Sequence, residues 1–253
     1  TVEQLKPSSR KYPYVNFQFE RDAGNDILDI RDLSKSVDGQ VMFRNLTVHV
    51  NKGDKTAFLG RNALAKTALF QILMGELEPD SGSFKWGAST NRAYFPKENN
   101  KYFNVDLNLI DWLRQYSKDQ DENFVRGFLG RMLFSGEESF KKASVLSGGE
   151  KVRCMLARMM LVGANAVVLD EPTNHLDLES ITSLNEGLER FKGTVLFSSH
   201  DHQFIQTVAN RIIEITPHGH IDIQGTTLDE FLADENIKAR RDALYKGIEE
   251  RVG

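Results

Sequence analysis

The sequence predicts an α/β protein whose largely parallel core sheet is covered by helices, with an antiparallel β-layer ahead of it and an all-helical insert within it. Three observations predict this. From residue 166 onward, short apolar strand-like runs alternate with helix-length amphipathic runs. Before them, strand signals follow closely on one another between Ile27 and Leu59: ILDIRDL, VMF, LTVHV and KTAFL. Finally, the apolar strand Val167-Val168-Leu169 delivers two adjacent carboxylates, Asp170 and Glu171, at its C-terminal end. Unpaired buried charge is costly, so such a strand makes sense where a metal ion and a water meet the acids.

Taken in order, Thr1 to about Gly24 reads as the tail of a connecting segment whose alternating VNFQFE leads onto an edge strand. The turns between the first strands are Asp38 to Gln40 and Asn51 to Asp54. A glycine turn follows KTAFL, and then a helix from Lys66 to Met74 with Leu69, Ile72 and Leu73 on one face. Two short strands surround Trp86 and Tyr94. Asp106 to Lys142 turns helical, its apolar positions being Leu109, Ile110, Trp112 and Leu113, then Phe124, Phe128, Leu129 and Leu133. A further helix carries Val152, Leu156, Met159 and Met160. Beyond the acid-tipped strand come helix 178–190, strand 194–198, helix 202–209 and strands 211–215 and 220–223. Thr227 to the end reads as one charged amphipathic helix.

Composition narrows the function classes. The 253 residues can bury one large core, and 40% hydrophobic with 27% charged residues is ordinary for a globular protein. No apolar run approaches the roughly 20 residues that cross a bilayer, and no leader precedes the first strands, so a cytoplasmic protein without a membrane partner is expected. The single Cys154 excludes an internal disulfide framework and reads as a small buried thiol. A net charge of −4 does not announce a nucleic-acid binder; Arg10-Lys11, Lys141-Lys142 and Lys238/Arg240/Arg241 read singly as solvated faces. The chain starts at Thr1 inside a connecting segment, as a piece of something longer would.

The chemistry gathers at four places. After the strand TAFL comes Gly60-Arg61-Asn62-Ala63-Leu64-Ala65-Lys66-Thr67-Ala68, against the phosphate-loop pattern G-x-x-x-x-G-K-[ST]. Ala65 stands where the pattern asks for glycine. The mechanism survives in outline: backbone N–H groups at a helix N-terminus hold phosphates, Lys66 reaches the β- and γ-phosphates, and Thr67 ligates Mg²⁺. Alanine disfavours left-handed backbone by about 1–2 kcal/mol, so a positive φ at Ala63 or Ala65 would weaken nucleotide binding. At the second place, Asp170 would bind Mg²⁺ through water while Glu171 orients the attacking water. At the third, His200 ends the strand TVLFSS, where open α/β sheets bind ligands, and could hydrogen-bond the γ-phosphate or that water. At the fourth, LSGGE at Leu146 to Glu150 opens an apolar helix with two glycines that leave N–H groups bare toward an anion. His202, His175 and the His218/His220 pair read as surface or turn residues with no metal spacing.

LSGGE, LDEPTNHLD and SHD together resemble the ABC-F subfamily of ATP-binding-cassette ATPases, specifically a C-terminal nucleotide-binding domain. The resemblance covers roughly Ile27 to Gln224. It implies an ABC-type fold: a phosphate-loop core with a mostly parallel sheet, an antiparallel β-subdomain and a helical subdomain at about 104–147. The implied layout is residues 1–24 as the end of an inter-cassette linker, 25–226 as the ATP-binding domain and 227–253 as a helical extension. It implies ATP and Mg²⁺ as cofactors, a second cassette (the N-terminal half of the same protein, or a homodimer mate), and a ribosomal partner with its rRNA and tRNA. By position, Ser147, Gly148, Gly149 and Glu150 would face ATP held by the partner cassette, and Asn174, His175, Leu176 and Asp177 would form the D-loop across the same interface.

Three departures from the family pattern stand out: the Ala63/Ala65 pair, Lys97 in the usual glutamine position of YFPK, and Val37 where an adenine-stacking aromatic is normal. Lysine cannot ligate Mg²⁺ but could contact phosphate. Phe43 and Tyr12 are the candidate replacements for the aromatic. Three readings stay open: an ATP-hydrolysing cassette of a ribosome-associated protein, the ATPase subunit of a transporter, and a degenerate cassette that binds nucleotide and barely cleaves it. One chain would hold two half-sites and no complete one, so weak hydrolysis alone is expected.

Overall fold

The computed structural model describes residues 12–248, which cluster into two units. The larger comprises residues 21–97, 165–171 and 192–248. It opens with two long antiparallel strands, β1 (Asp26–Val37) and β2 (Gln40–Asn51). Asp38 and Gly39 join them with φ of 50° and 77°, the paired positive angles of a tight hairpin turn whose twist suits the strands it joins. VMF and LTVHV, expected as separate strands, are one strand. Its ladder slips between the Leu33–Leu46 and Lys35–Phe43 pairs, and Asn45, at φ 50°, absorbs the slip as a bulge.

β3 (Lys55–Leu59) leaves this layer for the core sheet and feeds helix α1 (Ala63–Leu73). β4 (Ser81–Trp86) returns to pair with β1, completing a three-stranded antiparallel sheet in the order β2-β1-β4. β5 (Arg92–Phe95), β6 (Ala166–Asp170), β7 (Thr194–Ser198), β8 (Arg211–Thr216) and β9 (Gly219–Gln224) join β3 in a six-stranded sheet ordered β5-β6-β7-β3-β8-β9. All its pairings are parallel except the β8–β9 hairpin at the edge. Strands buried on both faces read as continuous apolar runs, and every residue of β6, β7 and β8 is buried. One core spans both sheets and α1, running through Ile27, Ile30, Val48, Phe58, Phe70, Val168 and Ile213.

The C-terminal stretch is two helices, not one. Helices α7 (Leu228–Ala233) and α8 (Glu235–Tyr245) are separated by Asp234, which caps the second with its carboxylate. Between β7 and β8 lies the short α6 (His202–Val208).

The smaller unit comprises residues 12–20, 98–164 and 172–191. It holds α2 (Leu109–Arg114), α3 (Glu122–Arg131), α4 (Gly148–Val162) and α5 (Leu178–Arg190). Trp112 anchors it: its ring stacks on Phe103 at 4.8 Å and its indole N–H donates to the Tyr102 carbonyl at 2.7 Å. α3 buries Val125 and Leu129, while Phe124, one of its apolar positions, is 41% exposed and meets Phe128 edge to face. Cys154 is fully buried on α4, and burial pushes its thiol pKa well up, so the thiolate is suppressed.

VNFQFE forms no strand. Val15 and Phe17 are buried as the alternation requires, but they pack on α5: Phe17 meets Phe191 edge to face at 5.9 Å and the Val15 carbonyl accepts from Arg190 at 3.1 Å. The expected linker start, residues 1–11 with Arg10-Lys11, and the last five positions lie outside the described residues. Gly187 lets this segment lie on α5, since a Cβ there would sit 2.7 Å from both the Val15 carbonyl oxygen and its Cγ1. Gly187→Ala should therefore cost about 1–3 kcal/mol, read as a lowered urea midpoint at constant m-value; an unchanged midpoint would remove the close approach.

Candidate functional site

The loop read from the sequence as a phosphate site begins where β3 must turn under its neighbour. A Cβ on Gly60 would lie 2.8 Å from the Ile215 carbonyl oxygen of β8, so the position accepts only glycine without moving backbone. Asn62 then caps α1, its Oδ1 accepting from the Leu64 N–H at 3.0 Å. That cap starts the helix at Ala63, three residues before the expected Lys66. Ala63 and Ala65 are helical, and neither has a positive φ. The left-handed penalty expected of them does not arise in this backbone.

Ala65 and Ala68 face the core, Leu64 is 49% exposed, and Lys66 is only 4% exposed. Burial depresses the Lys66 pKa, and the Glu171 and Asp170 carboxylates pull it back up. Thr67 reaches from α1 to the tip of β6: its hydroxyl donates to Asp170 Oδ2 at 2.7 Å. Ser198, at the end of β7, donates to Asp170 Oδ1 at 3.0 Å. Burial raises the Asp170 pKa, and these two hydrogen bonds oppose the rise.

Glu171 is the most constrained residue of the site. It is 4% exposed, and its φ of 51° is left-handed, a costly choice for a non-glycine residue. Its N–H donates to the Ser198 carbonyl at 3.1 Å, and its Oε2 accepts from the His200 backbone N–H at 3.1 Å. Oε1 is buried without a hydrogen bond, although His200 Nε2 lies 3.3 Å away outside hydrogen-bonding geometry. A buried carboxylate oxygen with no donor is expensive unless something else satisfies it. The His200 side chain itself is 66% exposed. Lys97, half-buried just past β5, is close enough for its charge to act on both Lys66 and Asp170.

Lys66, Thr67, Lys97, Asp170, Glu171 and His200 thus meet at the C-terminal edge of one parallel sheet, where such sheets bind ligands. The donors fit Mg²⁺: one hydroxyl and one carboxylate are hard oxygen ligands, and this ion keeps waters and takes phosphate oxygens for the rest. Phe43 is 1% exposed in the core and cannot stack on a base, which removes one of the two aromatics considered for that role. Tyr12, in the smaller unit, is 57% exposed.

In the smaller unit, Ser147 and Glu150 form a reciprocal capping box at the start of α4. Burial alone would raise the Glu150 pKa, but Lys141, at 2.8 Å, and the Ser147 N–H hold it below the usual range. Ser147 and Gly148 are exposed, and a Cβ on Gly149 would press to 3.0 Å from the His175 carbonyl. Asn174 and His175 form an exposed turn, Leu176 is half-buried, and Asp177 caps α5 through the Ser180 N–H at 2.8 Å. Sequence reasoning missed Ser198, although the strand read at 194–198 ended on it. It also missed Glu214 and Tyr245, which nothing local marks.

A sequence profile described as "ABC transporter" matches residues 43–174. An uncharacterized ABC transporter ATP-binding protein of Bacillus subtilis (strain 168), YkpA, is 62% identical over 97% of this chain and 46% of its own length. ABC transporter F family member 5 of Arabidopsis thaliana is 29% identical over 96% of this chain and 35% of its own. The chain spans about half the length of YkpA or less of such relatives. Among solved structures, cbiO1 from Clostridium perfringens, part of the ABC transporter complex cbiONQ, superposes with a TM-score of 0.63 at 20% identity, covering 87% of this chain and 96% of that one. Because both loop alanines are helical, Ala63→Gly and Ala65→Gly should each lower stability by about 0.5–1 kcal/mol without tightening ATP. Chemical denaturation and ATP titration check both halves, and a tighter complex would overturn the second.

Proposed function

The chain belongs to the ABC transporter family as one of its ATP-binding cassettes, and from that premise we propose that it binds ATP with Mg²⁺ through residues 60–68 and, paired with a second cassette, hydrolyses it. The observation that carries the hydrolytic part is Glu171: a buried carboxylate with one oxygen held by the His200 N–H and the other without a hydrogen bond, in a strained backbone beside Asp170 and Thr67. Strain and an orphaned oxygen at one residue are what a pre-positioned water-orienting group needs.

In this reading Lys66 holds the β- and γ-phosphates, its ammonium already balanced by two acids. Thr67 and Asp170 hold Mg²⁺, which when bound neutralises charge on the phosphate oxygens. Glu171 orients the attacking water and His200 hydrogen-bonds it or the γ-phosphate. Ser147, Gly148, Gly149 and Glu150, with Asn174 to Asp177, serve ATP held by the partner cassette, and the exposure of Ser147, Gly148, Asn174 and His175 supports that assignment.

The biological setting we propose is a cytoplasmic two-cassette protein of the ABC-F kind acting on the ribosome. Residues 1–24 would be the end of its linker, 25–226 its second cassette and 227–253 an extension. The NHLD run, relatives with F-family names and a chain about half the length of YkpA support it. Among the described residues no helix is long and apolar enough to cross a membrane. Ribosome cosedimentation of the full-length protein with and without ATP tests it; absence from the pellet under both conditions would sink the ribosomal part.

One observation favours slow turnover: the Lys97 cation acts on Lys66 and Asp170 where the family places a neutral glutamine. Glu171→Gln in the full-length protein should keep ATP binding while slowing hydrolysis about 100-fold or more, measured as phosphate release. Turnover equal to the unsubstituted protein would remove Glu171 from the chemistry.

A further inference from the structure

The first turn of the phosphate loop is gripped from outside the motif. Arg61 follows Gly60 and is exposed, yet its guanidinium carbon lies 3.9 Å from the centroid of the Tyr245 ring, on the last residue of α8. The Arg61 backbone also lies close enough to the phenol to lower its pKa against the larger effects that raise it. Tyr245 is itself fixed, since it is 6% exposed and its hydroxyl donates to Glu214 Oε2 at 2.6 Å.

Glu214 gives this contact its meaning. It is 2% exposed on β8, pairs in register with Leu59 at the end of β3, and precedes Ile215, whose carbonyl Gly60 nearly touches. A carboxylate so buried needs partners, and α8 provides them: Arg241 Nε donates to Oε1 at 2.6 Å while Tyr245 donates to Oε2. Burial and the Glu214 charge both push the Tyr245 pKa up, so the phenol stays protonated and keeps donating. The Glu214 charge also reaches Lys66.

We infer that α8 is a strap for the phosphate loop, in which Tyr245, seated by Glu214 and Arg241, is a positioning residue that holds Arg61 and preorganises residues 60–63 for nucleotide. The helix is not generic packing at this point, because its final aromatic contacts the loop and its basic residue satisfies the only acid beneath that loop on β8. The inference rests on the loop being the phosphate site, as proposed above, and its first test does not depend on nucleotide.

In the nucleotide-free full-length protein, Tyr245→Leu should speed amide exchange at residues 60–63 about threefold to tenfold, the scale of one partly desolvated cation–π contact. Exchange in β6 and β7 should stay unchanged, and Tyr245→Phe, which keeps the ring, should recover most of the protection. With ATP, Tyr245→Leu should raise KM by a similar factor with kcat unchanged. Arg61→Ala, at an exposed position, should reproduce the faster loop exchange even if the Tyr245→Leu protein fails to fold, and the two changes together should speed it no more than one. Loop exchange equal to that of the unsubstituted protein in Arg61→Ala, additive effects in the double variant, or exchange raised throughout the sheet would each overturn the strap. Lys66→Ala separates the two readings: if it leaves ATP binding intact the phosphate assignment fails, whatever the exchange at residues 60–63 shows.

Discussion

Asp170 and Glu171, at the tip of a fully buried strand, set the terms for everything around them. Two carboxylates inside a parallel sheet must each be met by donors, and the three donors come from two separate stretches of chain. Thr67 arrives near the start of α1, Ser198 from the end of β7, and the His200 N–H from just after it. Each strand must therefore end within about one residue of where it does, because slipping a strand in register would carry its donor away from the acids. The parallel order β6-β7-β3 is what brings those three ends to one edge. Lys66 completes the balance: a cation this buried tolerates its site through the two negative charges nearby, and they tolerate theirs partly through it.

Much of this was legible in the sequence, for identifiable reasons. Apolar runs of strand length ending in acids or in glycine can do little else inside an α/β protein, so β3, β6 and β7 and the residues at their tips were readable one by one. What escaped was decided by single caps and by distant partners. Asn62 moved the start of α1, and Asp234 split the C-terminal helix, because a side-chain cap overrides an apolar periodicity that runs past it. VNFQFE has the alternation of a strand, but period two reports which residues are buried and not what buries them; here α5 does. Phe43 was attractive as a base-stacking aromatic only while its strand could be imagined with the other face outward. The Tyr245–Glu214 hydrogen bond joins residues 31 positions apart, with no local pattern to announce it.

Two of the departures from the family pattern, the alanines and Lys97, do not weigh equally once placed in the fold. The alanines sit in helical backbone and change little about it. Lys97 changes the charge of the site itself. A neutral side chain there would leave two acids facing one buried cation, whereas Lys97 adds a second positive charge. Such a site attracts an anion more strongly before any metal enters, and has less need of the metal to neutralise it. Holding nucleotide and cleaving it are separable in a site of this composition, because the first depends on net charge and the second on how precisely a water is aimed.

Glu171 carries a consequence beyond its hydrogen bonds. At φ 51° the backbone would sooner have glycine or asparagine, so folding stability alone argues against glutamate at this position. Stability and chemistry pull in opposite directions on one residue, and the acid is the option that folding would discard first. A change to glycine here would relieve the backbone while, in the proposed reading, removing the water-orienting group. Glu171 thus holds a backbone conformation that folding alone would give to glycine, and in the proposed reading its side chain is what that strain serves.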